Sequence, residues 1–411
     1  MKTLFLYLLP LFLLAAPDAK LKISKDVDQR ASVAIIDSST SPATISKKLH
    51  KIFVSDLKIS GNFIPDKIYY SGTYDNGITP KMRAKEYVLK YNFTENKPGA
   101  VLMVRLLKGS NSKVILEKKY AIPSVSKFPF IAHKATTDLN DALGYRSIAW
   151  INRYVVFTRY TGRKQSEILL ADYTFNYTKT VIRGGLNLFP QWGDPKQRGF
   201  YYTSYETGTP TIFHLNIYSG ERKQIVSSPG MLICSDVSKD GSKLLLTMAP
   251  NFQPDIYEFD VSSQKAKRLT TFSGIDVNGK YSDNEHSITF VSDRIGRPNI
   301  YKKQIGSKAV MQLIFHGKKN NSCDTYGKRI VYSSKEGARK FNIYLANSAG
   351  GSVRPLTSGG SNQFPRFAPD GNTVLYIKRD RGVNAIGYIG LQTNQTMLFP
   401  LGNRKIQSID W

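Results

Sequence analysis

The chain has 411 residues, of which 41% are hydrophobic and 22% charged, and its 58 Lys and Arg against 31 Asp and Glu leave a formal charge of +27. That length holds two or three domains with sizeable cores. Two cysteines do not define a disulfide scaffold, and no third Cys or His stands near either at metal-ligand spacing.

The first residues, MKTLFLYLLPLFLLAAPDAK, set Lys2 before an apolar run from Leu4 to Ala16 and then turn polar. The run is too short to span a bilayer as a mature helix and reads as a signal peptide over 1–16, the alternative being an uncleaved anchor. Cleavage fits after Ala16 or after Ala19. Export removes nucleic acid from the partners expected of so basic a chain. The charge is spread without an Arg/Lys block, which fits a solvated surface or one facing an acidic partner. The next stretch, PDAKLKISKDVDQR, has no length for a fold of its own, so Leu21 and Ile23 either fray or lend a strand to another sheet.

An α/β domain follows, over 17–144. "ASVAII" reads as a strand. A helix begins at Ser41–Pro42, with Ile45, Leu49, Ile52, Phe53 and Leu57 on one side and Gly61 after its end. Three strands, "EYVLKYNF", "AVLMVRLLKG" and "KVILEKKYAI", precede a last helix from about Phe128 to Leu143. His50 and His133 fall in the two helices and read as structural, neither having a ligand-like array near it in sequence. A short link at Gly144 to Arg146 predicts little relative motion.

From there the chain repeats. Ile168-Leu169, Ile212-Phe213, Ile256-Tyr257, Ile300-Tyr301 and Ile343-Tyr344 recur at separations of 44, 44, 44 and 43 residues, and a weaker copy at Ile386 follows 43 further on. Each copy sits among strands and turns, as in "SKDGSKLLLTMAPNFQPDIYEFD" and "APDGNTVLYIKRDRGVNAIGYIG". Gly takes the positive φ such hairpins need. Units of this length with an apolar face stack on their neighbours, and six of them close a ring. The predicted class is α+β: a six-bladed β-propeller over 145–411 behind the small α/β domain. "RSIAWINRYVVFTRY" opens on a second strand and "KIQSIDW" ends as a first one, so 406–411 completes the first blade and removes the open edges. Asp240, Asp283 and Asp370 hold equivalent turn positions and are expected to serve the turn backbone. Cys234 and Cys323 either pair or, as their apolar flanks favour, stay buried as thiols.

No G-x-S-x-G elbow, H-E-x-x-H or phosphate loop occurs, and nothing singles out a carboxylate pair, so no catalytic residue, metal or cofactor is expected. The segments entering the innermost strands crowd one mouth of the channel. Rich in Gly, Asn and Ser with scattered apolar residues, they suit a protein partner better than a small substrate. The candidate contacts there are Leu188, Met231, Cys234, Asp276, Val277, Asn321, Gln363 and Phe364.

The whole arrangement resembles the TolB family of periplasmic proteins of the Tol-Pal system. The likeness rests on "SDLKISGNF" at Ser55, "IAHKATTDLNDALG" at Ile131, "IAW" at Ile148, "FPQW" at Phe189, "SDRIGRPNIYK" at Ser292 and "FAPDG" at Phe367. It implies a non-enzymatic, soluble, monomeric periplasmic protein that supports outer membrane integrity and constriction during division. The mouth would bind the peptidoglycan-associated lipoprotein Pal, with Met231 to Cys234 and Asp276 to Val277 at the family's contact positions. The segment with Asp18, Leu21, Lys22 and Ile23 would contact TolA, and outer membrane proteins are further candidate partners. The chain departs from the family where Met231 stands for a histidine and where the third-blade turn is "SKDG". Two rival readings are a glycan-binding or lyase propeller, which needs aromatics and paired carboxylates facing the channel, and an assembly platform for outer membrane proteins.

Overall fold

A computed structural model describes residues 30–39, 43–75, 77–336 and 340–411. The predicted signal peptide, the TolA-type segment and the Ser41–Pro42 helix start lie outside the described residues.

The N-terminal domain runs β1 (Ala31–Asp37), α1 (Ala43–Ser60), β2 (Phe63–Pro65), β3 (Tyr70–Ser71), α2 (Pro80–Arg83), β4 (Tyr87–Asn96), β5 (Gly99–Lys108), β6 (Val114–Ile122) and α3 (Phe128–Ala142). Strand β1 pairs in parallel with β2, β3 and β4, and β4, β5 and β6 continue the sheet antiparallel. Helix α1 buries Leu49, Ile52, Phe53 and Leu57 on one sheet face together with Ile131, Ala135 and Leu139 of α3. That is the apolar stripe its periodicity predicted. The short pieces β2, β3 and α2 carry too few residues for a period and were not predicted. The sheet's other face is closed by Ile78 and Met82 over Ala34, Ile36 and Val88.

Six four-stranded antiparallel sheets form the ring. Their innermost strands are Ile406–Asp410 (blade 1), Asn187–Trp192 (blade 2), Leu232–Val237 (blade 3), Asp276–Ser282 (blade 4), Lys319–Tyr326 (blade 5) and Ser361–Phe367 (blade 6). The recurring isoleucine has one physical cause. Ile168, Ile212, Ile256, Ile300, Ile343 and Ile386 are all 0% exposed, each filling the packing of its blade's third strand. In blade 1, Ile406–Asp410 pairs antiparallel with Val155–Gly162, so strands some 250 positions apart close the circle. Cys234 and Cys323 are buried free thiols.

Turn aspartates divide in two. Asp240 accepts the Ser242 N–H at 3.0 Å and Asp370 that of Asn372 at 2.8 Å, each stabilising its turn. Asp283 departs from that expectation. Residues 283–285 all take positive φ, and its carboxylate pairs with Lys302.

The domain touches the ring at turns on one face. Arg146 donates to the Asp370 carbonyl at 3.0 Å, and Asn152 to Thr137 at 2.9 Å. Gly61 ends α1 at φ +75°, and a Cβ there would collide with Thr393 of blade 6. The centre of the seam is a fully buried bridge. Nδ1 of His133 lies 2.9 Å from Oδ2 of Asp56 on α1, and its Nε2 lies 3.2 Å from Oδ2 of Asp172 in blade 1. Tyr173 donates to Asp56 at 2.5 Å, and Thr136 does so at 3.2 Å. Burial alone would lower the His133 pKa, but the Asp56 and Asp172 carboxylates outweigh it and raise it to about 9. Only the doubly protonated ring donates to both acids at once. His133 is structural, as read, but two carboxylates do face it. They come from 77 and 39 positions away.

Candidate functional site: the channel mouth

Innermost strands enter the ring at the face opposite the N-terminal domain, because the domain contacts lie at turns that follow first and third strands. At the entry face the channel opens as a cavity of about 220 Å³, with walls from Phe189, Pro190, Met231, Ile233, Val277, Phe364 and Ile409. Gln191, Ser235, Thr247, Asn278, Asn321, Ser322, Ser408 and Arg366 complete the lining. An apolar wall with interspersed polar groups is suited to seating a side chain or short loop of a ligand.

Below it, the channel is closed by charge. Three aspartates on the odd blades each accept a backbone N–H from the next blade at 2.8 Å: Asp410 from Trp192, Asp236 from Tyr281 and Asp324 from Phe367. The residue before each donor turns its side chain into the same plug. Gln191 donates to Asp410 at 2.8 Å, Nζ of Lys280 lies 3.5 Å from Asp236 and 3.8 Å from Asp324, and Arg366 lies 3.8 Å from Asp324. Lys280 is 2% exposed. Burial raises the Asp236 and Asp410 pKa values, with Lys280 and Arg366 opposing it. Burial likewise pushes the Cys323 thiol up to about 12 and the Cys234 thiol higher still, so both stay protonated and inert.

A pseudo-threefold alternation underlies this plug. All six innermost strands shift register near the lumen, but differently. Even blades place Phe189, Asn278 and Phe364 at φ near +56°, whereas no residue of the odd blades' innermost strands takes positive φ. Such bulges re-aim side chains at a rim.

Of the sequence-predicted contacts, Met231, Cys234, Val277, Asn321 and Phe364 line the cavity. Leu188, Asp276 and Gln363 do not. Leu188 is buried one position before the bulge, and Gln363 is half-buried in its ladder. Asp276 corrects the expectation most clearly, since its carboxylate is fully buried and held by Arg294 at 2.9 and 3.0 Å. Asp18, Leu21, Lys22 and Ile23 lie outside the described residues. Sequence reasoning missed the plug. Its signal was an acid in every second unit, Asp236, Asp324 and Asp410, at separations of 88 and 86 residues.

The described residues thus define a class: two-domain, six-bladed propeller proteins with an α/β domain docked opposite an open channel mouth. The family model of the TolB beta propeller domain matches residues 148–411. The Tol-Pal system protein TolB of Wolinella succinogenes is 38% identical over the full length of both chains, and that of Helicobacter pylori strain HPAG1 is also 38% identical over both full lengths. The crystal structure of TolB from Acinetobacter baumannii shares the fold, with a TM-score of 0.76 at 24% identity, covering 93% of this chain and 96% of that one. The chain belongs to the TolB family and is a component of the Tol-Pal system of the cell envelope. Among the described residues, no helix is long and apolar enough to cross a membrane.

Proposed function

We propose that this protein is a non-enzymatic periplasmic adaptor that binds the lipoprotein Pal at the channel mouth and TolA through the segment holding Asp18, Leu21, Lys22 and Ile23. In that role it supports outer membrane integrity and constriction at division. The observation that carries the reading is the apolar, open cavity on the face left bare by the N-terminal domain. Met231, 40% exposed at its lip, and Phe364 in its wall supply apolar anchors, and Asn321 supplies a polar group. The charge plug beneath supports binding over catalysis. Each of its acids is engaged by a backbone N–H of the next blade, which gives it a structural role in the ring.

Calorimetric titration of the full-length mature protein with the periplasmic domain of the same organism's Pal-like lipoprotein tests this. The expected result is a one-to-one complex at about micromolar affinity, roughly −8 kcal/mol, weakened at least tenfold by Met231→Glu. Absence of binding at high concentration overturns the reading.

A further inference from the structure

The rim around the mouth is not uniform, and its two halves differ in chemistry. Across blades 3 to 5, exposed apolar side chains follow one another: Met231, Phe252, Ile275, Ile295 and Phe315. Their loops are joined in that order by backbone-anchored bonds. Ala249 N–H donates to the Met231 carbonyl, Asp276 N–H to Pro254, Asp293 N–H to Ile275 and Asn320 N–H to Pro298. The apolar residues therefore follow one another along one half of the mouth, with Arg297, Lys318 and Lys319 exposed in the last two of these loops. Phe252 is 89% exposed and Phe315 81% exposed. Phe252 also takes φ +63°, where a bulky side chain is disfavoured and Gly or Asn would serve the turn at lower cost. Folding gives no reason for a phenylalanine at that tip.

The other half, over blades 6 and 1, is richer in cations, with Val383 exposed close to Arg381. Arg163, Lys164, Arg183, Arg381, Arg404 and Lys405 are exposed in its entry loops, with Asp380 the exposed acid beside Arg381. Arg404 reaches Glu167 at 3.8 Å, a pair too loose and too exposed to quench the arc.

Resting on the reading that the mouth seats a folded partner, we infer that this partner is an acidic protein domain bound in one orientation. Its apolar patch lies on the Phe252–Phe315 arc and its carboxylates on the Arg163–Arg404 arc. Charge complementarity on one side and anchors on the other fix rotation about the channel axis, which a symmetric ring alone leaves free. The concave cavity at the centre favours a protein over a lipid surface, because a flat headgroup layer fills no 220 Å³ recess.

The test uses the full mature chain and the periplasmic domain of the Pal-like lipoprotein, with surface plasmon resonance at low and high salt. Phe252→Ser with Phe315→Ser should raise the dissociation rate at least tenfold. Arg163→Glu with Arg404→Glu should slow association severalfold and flatten its salt dependence. Both pairs are surface changes, and circular dichroism checks their fold. If the wild type binds and neither pair alters the rates, the two-arc inference is overturned while the mouth reading stands. If the wild type does not bind this domain, the functional reading itself fails. Binding of wild type to phosphatidylglycerol vesicles, lost in both variants, assigns the arcs to a membrane and overturns the inference.

Discussion

Two charge clusters hold this molecule at its two critical places, and they are built on opposite logic. At the seam, one histidine stands between two carboxylates in a dry site, with all three residues 0% exposed. In the channel, a lysine and an arginine face three aspartates, of which Asp236 and Asp324 retain 21% and 15% exposure. The seam cation can lose its proton in a mildly alkaline range. The channel cluster holds no histidine, and its cations are Lys280 and Arg366. The contact between domains is therefore tied to the protonation of one histidine, His133.

The sharpest way to break that contrast is His133→Leu. It leaves Asp56 and Asp172 buried without a cation, at a cost of about 3–5 kcal/mol in stability, read from urea unfolding of the full chain. A loss below about 1 kcal/mol would mean that the bridge contributes little.

Next in size is the pH limb. The folded-state pKa of His133, about 9, lies above the ordinary histidine value of 6.5. Its contribution is fully present below pH 6.5 and is lost as pH rises through 9. The difference corresponds to roughly 3 kcal/mol. Stability should fall between pH 7 and 9.5 in the wild type, and this limb should vanish in His133→Gln. A limb that persists in the variant assigns it to other groups. The channel acids Asp236 and Asp410 have raised pKa values, so they add no stability that acid removes.

Smallest is Lys280→Met. It strips the plug of its lysine, but Arg366 remains and water reaches the lumen side of Asp236. The expected cost is about 1–3 kcal/mol, with no change between pH 7 and 9.5 relative to wild type. A loss as large as that of His133→Leu would erase the distinction between the clusters.

How much of this was readable beforehand follows from range. The blades were legible because each needs one fully buried isoleucine at the same place, which imprints a period on the chain. Helix α1 was legible from its own stripe. The mouth was legible as a set of loops, since ring topology alone puts them together, and Met231 and Phe364 do meet there. Asp276 was misplaced because nothing near it in sequence announces Arg294, which lies 18 residues on and takes up its carboxylate. The seam bridge was invisible for the same reason, its three members coming from two helices and a blade. The plug left a trace, an acid in every second unit. A search for a period of one unit passes over a period of two.

The pairing of Ile406–Asp410 with Val155–Gly162 has a consequence in time. Until residue 410 exists, the first blade is a three-stranded sheet with a bare inner edge, and Gln191 and Trp192 lack the acid that receives their N–H groups. Blade 1 therefore has three of its strands made before any other blade and its fourth made after all of theirs. A chain cut short before Ile406 keeps an open, sticky edge that proteases and chaperones can recognise. The same five residues that seal the ring thus join parts of the chain that are made far apart in time.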